Sequence, residues 1–179
     1  EDLARVNIVS ETPKTIAQKL EGRVAPYKLE NKTVFHGTSA ENAQSIMDNG
    51  FKKGSELKED AFRGGGYGAM QDSISFSTDP MISANFTGGA RTGVVFKTKL
   101  ADSTNLVTVS GLDYAEDLNE FIKELRKQKV DAVYLPAEKE VVVINPKVIE
   151  KIEDSREFTV KGDGREVLNE LTTASRSTP

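Results

Sequence analysis

The chain carries one histidine, His36, which follows the short apolar run Thr33-Val34-Phe35 and precedes Gly37-Thr38-Ser39. A single histidine at the end of a strand reads as a structural hydrogen-bonding residue or as part of a site. Gly37 favours the second, because glycine lets a ligand approach the backbone closely and leaves the neighbouring N–H and C=O open for recognition. A second group is Phe76-Ser77-Thr78-Asp79, with Phe86 ten residues beyond Phe76. The two rings suit core packing, and they equally suit a clamp around a flat, cationic ring. A third is Glu138-Lys139-Glu140, leading into Val141-Val142-Val143-Ile144. Carboxylates at i and i+2 of a strand point to the same side, towards solvent or into one cleft. Arg63 offers a guanidinium suited to a pyrophosphate oxygen, or is a solvated loop charge.

The elements that must position these groups follow from periodicity and punctuation. A helix is expected over Lys14 to Leu20 after the start signal Thr12-Pro13. A second is expected over Ala40 to Asn49, with Ser39 as N-cap, Ala43, Ile46 and Met47 on one face, and Gly50 ending it. The stretch Gly54 to Asp72, centred on Gly64-Gly65-Gly66-Tyr67-Gly68, has no period and reads as a long loop, a class that is commonly functional. Ser73 to Ser77 reads as a strand, followed by a short helix from Pro80 to Phe86. Val94, Phe96, Thr98 and Leu100 alternate with Val95, Lys97 and Lys99, the pattern of a strand with one buried face. A helical stripe of Tyr114, Leu118, Phe121, Ile122 and Leu125 is followed by two β runs, Asp131 to Leu135 and Val141 to Ile144. The second run is continuously β-branched and belongs in the middle of a sheet. Strands and helices do not alternate as in a doubly wound sheet, so the expected class is α+β with mainly antiparallel strands. The glycine cluster at 64–68 lacks the strand-turn-helix setting of a dinucleotide fingerprint.

Composition bounds the functional classes. A length of 179 residues is that of one domain, and 37% hydrophobic residues is enough for a core. A net charge of −4 gives no bulk attraction to nucleic acid or anionic lipid. With no cysteine there is no disulfide, thiolate metal site or cysteine nucleophile. No apolar run is long enough to span a bilayer, and the start Glu1-Asp2-Leu3-Ala4-Arg5 lacks the pattern of a signal peptide. The reading is a soluble chain excised from a longer protein, with an arm over 1–31, one domain over 32–164 and a tail over 165–179.

Taken in order, these groups resemble the three motifs of the ADP-ribosyltransferase superfamily. Phe35-His36-Gly37-Thr38 resembles the first motif of the diphtheria-toxin and poly(ADP-ribose) polymerase branch, and Asn49-Gly50-Phe51 resembles the turn after its first helix. Phe76-Ser77-Thr78-Asp79 is similar to the second, with Phe76 where the family has tyrosine and Phe86 at its second stacking ring. Glu140-Val141-Val142-Val143-Ile144-Asn145-Pro146 resembles the third, whose glutamate is catalytic. Ser77-Thr78 and the Glu138-x-Glu140 spacing also resemble the Arg-Ser-Glu branch of bacterial toxins, in which His36 would stand at the place of arginine.

The resemblance implies split antiparallel sheets with flanking helices around an NAD cleft. It implies a mono-ADP-ribosyltransferase of the toxin or effector type, secreted or delivered into a target cell. NAD would be the co-substrate, a protein side chain the acceptor, and neither a metal nor an oligomer would be needed. Glu140 would stabilise the developing cation, His36 would bond a ribose hydroxyl, and Glu138 would orient or deprotonate the acceptor. Gly37 would hold the carboxamide, Phe76 and Phe86 would sandwich the nicotinamide, and Thr38, Ser77 and Arg63 would complete the binding set. A glycohydrolase using water as acceptor, and a non-catalytic binding module on the same fold, are the alternatives.

Overall fold

A computed structural model of the chain describes residues 12–52, 73–84, 92–111 and 118–159. Its strands are β1 (Val24–Pro26), β2 (Thr33–Ser39), β3 (Ile74–Ser77), β4 (Thr92–Lys99), β5 (Leu106–Val109), β6 (Ala132–Leu135), β7 (Glu140–Val143) and β8 (Asp154–Thr159). Its helices are α1 (Ile16–Leu20), α2 (Ala40–Asn49), α3 (Pro80–Ala84) and α4 (Leu118–Lys127). The strands form one open sheet in the order β1-β5-β6-β7-β3-β2-β4-β8. The class is α+β.

The sheet is mixed. β5 and β6 run parallel, with Val107 opposite Val133, while the other neighbours are antiparallel. Parallel neighbours need a crossover, and α4 supplies it, so one strand-helix-strand unit stands where no alternation was expected. β1, β5 and β8 had no strong period in the sequence and are defined by their partners. The first helix starts later than Thr12-Pro13 suggested. Thr15 caps it in a reciprocal box, its Oγ1 accepting from Gln18 N at 3.2 Å and its N–H donating to Gln18 Oε1 at 2.9 Å. α2 is capped as expected, by Ser39 Oγ on Asn42 N–H and by Gly50, whose φ is 77°.

Strand parity divides the interior between the two faces of the sheet. On the first face Val107, Val109, Val133, Leu135 and Val142 pack against Leu20 of α1 and Phe121, Ile122 and Leu125 of α4. Further along this face α3 covers β2 and β4, with Ala84 against Phe35 and Val95. On the second face Val34, Ile74, Phe76, Leu106, Ala132, Val141 and Val143 form a continuous layer, and α2 adds Ala43 against Val94 and Phe96. β7 lies between β6 and β3 and is buried on both faces, as its β-branched run implied.

β2 and β3 carry the first two of the residue groups singled out in the sequence. Thr33 to Ser39 of β2 are laddered to β4 along their whole length, and Ile74 to Ser77 of β3 to β7. Between β2 and β3 the register holds only at Phe35 opposite Ser77. Two well-laddered halves of the sheet thus meet at one pair.

Candidate functional site

His36 lies within β2 and not at its end, because the strand continues through Ser39. Its Nδ1 is 2.7 Å from the carbonyl oxygen of Ser75 on β3. A carbonyl only accepts, so Nδ1 carries the proton and the neutral ring keeps its lone pair on Nε2. This contact stands where a continued ladder would offer the Ser75 carbonyl a backbone N–H of β2. The ring packs edge-on to Phe51 at 5.2 Å and to Phe76 at 5.5 Å. Burial pushes the imidazole below its ordinary value, against the opposing pull of the Ser75 carbonyl.

Glu140 opens β7 with only 5% of its surface exposed. Its Oε1 accepts the hydroxyl of Ser75 at 2.5 Å. A buried carboxylate needs such a donor, because burial strips the water that would otherwise stabilise its charge. Register places Glu140 opposite Ser77, and Ser77 opposite Phe35, so Ser75, Ser77, Phe35 and Gly37 share the face of Glu140. His36 and Phe76 therefore lie on the other face. Ser75 touches both groups, holding His36 through its carbonyl and Glu140 through its hydroxyl.

Ser77 is committed elsewhere. Its hydroxyl donates to the carbonyl of Asp79 and accepts from the Asp79 N–H at 3.1 Å, with Ser83 Oγ at 3.0 Å. Thr78 pins the hairpin before β7, its N–H donating to the carbonyl of Lys139 at 2.9 Å. That hairpin, Pro136 to Lys139, is a turn in which Lys139 adopts a φ of 51°. Glu138 is therefore a half-buried turn residue, and the strand parity expected to aim it with Glu140 does not operate.

Gly37 and Phe76 are both buried, and for both the packing is intramolecular. A Cβ built on Gly37 would lie 1.6 Å from the carbonyl oxygen of Ser83 in α3, so the missing side chain admits helix backbone. Phe76 is 2% exposed and packs at 5.0 Å against Phe51. Thr38 is also buried, opposite Val94. Phe86 and Arg63 lie outside the described residues. The sequence reading missed Ser75, although Ser73, Ser75 and Ser77 alternate with Ile74 and Phe76 and so mark a polar strand face.

Among the described residues no group of three or more acidic or histidine side chains could hold a metal ion, and no helix is long and apolar enough to cross a membrane. Comparison with models of known families, with curated proteins and with solved structures finds no match for the chain.

Proposed function

We propose that the protein is a mono-ADP-ribosyltransferase of the toxin or effector type, which moves ADP-ribose from NAD to a protein side chain and releases nicotinamide. The observation that carries this reading is Glu140, a buried carboxylate at the mouth of a central strand, held by a serine hydroxyl and lying opposite Ser77 of the second motif. The joint between β2 and β3, held by one pair, supports the finer description of the fold as a split sheet.

In the reaction the bond between the ribose anomeric carbon and the pyridinium nitrogen breaks. Its electron pair neutralises the pyridinium as nicotinamide leaves, and an acceptor heteroatom bonds the same carbon and gives up a proton. The transition state has oxocarbenium character, as in glycoside hydrolysis. The carboxylate of Glu140 would stabilise that charge and accept a hydrogen bond from a ribose hydroxyl, most strongly in the transition state. Glu138, on the adjoining turn, would take the acceptor's proton. His36, on the opposite face of the sheet with Nδ1 bonded to the Ser75 carbonyl, would bear on the Glu140 carboxylate only through Ser75.

Nicotinamide release from NAD by the purified protein tests this, with and without cell lysate. Glu140→Gln is expected to lower release by about two orders of magnitude or more, since it removes charge at the position where charge develops. Equal release by parent and variant refutes the reading. Release that rises with lysate indicates a transferase, and equal release without it indicates a glycohydrolase. The burial of Gly37 and Phe76, which leaves neither open to a nicotinamide ring, favours a second reading, a non-catalytic binding module on the same fold, which a lack of nicotinamide release by the parent with and without lysate would support.

A further inference from the structure

We infer that Ser75, rather than Ser77, is a positioning residue for the Glu140 carboxylate, and this inference rests on the transferase reading above. Both serines share the face of Glu140, and Ser77 is its direct cross-strand neighbour, so position alone would choose Ser77. The hydrogen bonds choose otherwise. The Ser77 hydroxyl is already engaged with the Asp79 carbonyl, the Asp79 N–H and Ser83 Oγ, so its one proton is drawn away from the carboxylate. The Ser75 hydroxyl is 2.5 Å from Glu140 Oε1, within the short range of O–H bonds to ionised oxygen, which are stronger than neutral ones.

Ser75 is itself held from two sides. Its backbone is in register with Val142 of β7, and its carbonyl takes the Nδ1 proton of His36 from β2. The hydroxyl therefore departs from a fixed point, and a carboxylate bonded to it has its plane set relative to the strand. Fixing that plane before the substrate arrives avoids reorienting the carboxylate as positive charge develops. Ser75 touches no reacting atom, so its contribution acts through Glu140. This separates it from a residue that merely supports the sheet.

The test is steady-state nicotinamide release by the full chain carrying Ser75→Ala, Ser75→Thr, Ser75→Cys, Glu140→Gln and the Ser75→Ala/Glu140→Gln pair, with thermal unfolding of each. Ser75→Ala is expected to lower kcat about 10- to 100-fold with KM almost unchanged, the size of effect that misplacing a catalytic group produces. Ser75→Thr keeps the hydroxyl and restores most of kcat. Ser75→Cys keeps the shape with a weak donor and behaves like the alanine variant. In the Glu140→Gln background the alanine change has no further effect, because the group through which it acts is already gone. Two results overturn the inference while leaving the transferase reading standing: parental kcat in Ser75→Ala while Glu140→Gln is inactive, or an alanine effect that multiplies in the Glu140→Gln background. Glu140→Gln as active as the parent overturns the reading and the inference together.

Discussion

Gly37→Ala separates two accounts of the same glycine. If Gly37 serves to admit a ligand, alanine blocks binding and leaves the folded chain as stable as before. The packing says that alanine destabilises the fold itself. The new Cβ would lie 1.6 Å from the Ser83 carbonyl oxygen, 2.5 Å from its carbon and 3.3 Å from its Cα. The first distance is roughly 2 Å inside the optimum for non-bonded atoms. No rotamer relieves the overlap, because the obstructing atoms are helix backbone, so α3 must lift from the sheet. Lifting it strains the Ser77–Ser83 hydroxyl contact at 3.0 Å and uncovers Val95, Phe35 and Ala84. Overpacking typically costs about 1–3 kcal/mol where side chains can adjust, and a backbone collision belongs at about 3 kcal/mol or above. For a chain of this size that lowers Tm by roughly 6–12 °C. The chain has no tryptophan, so calorimetry or circular dichroism is the natural assay. Ser83→Gly is a control that leaves the carbonyl in place, and it should not rescue the alanine variant. A Tm for Gly37→Ala within about 2 °C of the parent refutes the packing account.

Two further predictions concern titration and a helix end. Burial lowers His36 from its ordinary 6.5, so on acidification the unfolded chain takes up a proton that the folded chain resists. This contribution to stability is present above that value and is lost as pH falls below it, with a slope of at most about 1.4 kcal/mol per pH unit. Denaturation of the parent and of His36→Gln between neutrality and about pH 5 should therefore diverge, and parallel profiles would contradict the burial. At the end of α4, Lys129 has a φ of 64°, its N–H donates to Arg126, and Val130 N–H donates to Leu125, a glycine-type cap occupied by lysine. Lys129→Gly is expected to raise stability by up to about 1 kcal/mol, or roughly 2–4 °C in Tm, and a lower Tm would mean that the lysine side chain contributes more than its backbone costs.

Local rules made much of the architecture legible. The 3.6-residue stripe of α4, the caps at Ser39 and Gly50, the alternation of β4 and the unbroken β-branched run of β7 all depend on near neighbours in the chain, whereas in α2 only Ala43 and Ile46 of the expected stripe face the sheet and Met47 is 54% exposed. Partnership across the sheet was not legible. β1 is three residues long, β5 and β8 carry no clear alternation, and the parallel pairing of β5 with β6 depends on where α4 packs. The limits of the two turns that matter were hidden for a similar reason. β2 extends past His36 because β4 supplies a partner for every residue through Ser39, and Glu138 leaves the strand because the turn over 136–139 closes on itself, Lys139 N–H bonding the Pro136 carbonyl with Lys139 at a φ of 51°.

The sequence by itself determined the inventory: a domain-sized chain without cysteine, one histidine, an aromatic-serine-threonine segment, and a glutamate leading a buried strand. Residue type is enough for that, since it sets charge, hydrogen-bonding capacity and backbone freedom before any fold exists. Which groups meet was decided only by tertiary structure. The alternation of side chains across paired strands put His36 and Glu140 on opposite faces, linked through the carbonyl and the hydroxyl of Ser75. The same packing gave the space at Gly37 to Ser83 and engaged the hydroxyl of Ser77 with Asp79. These assignments depend on distances of a few ångströms between strands far apart in sequence, and no periodicity along the chain encodes them.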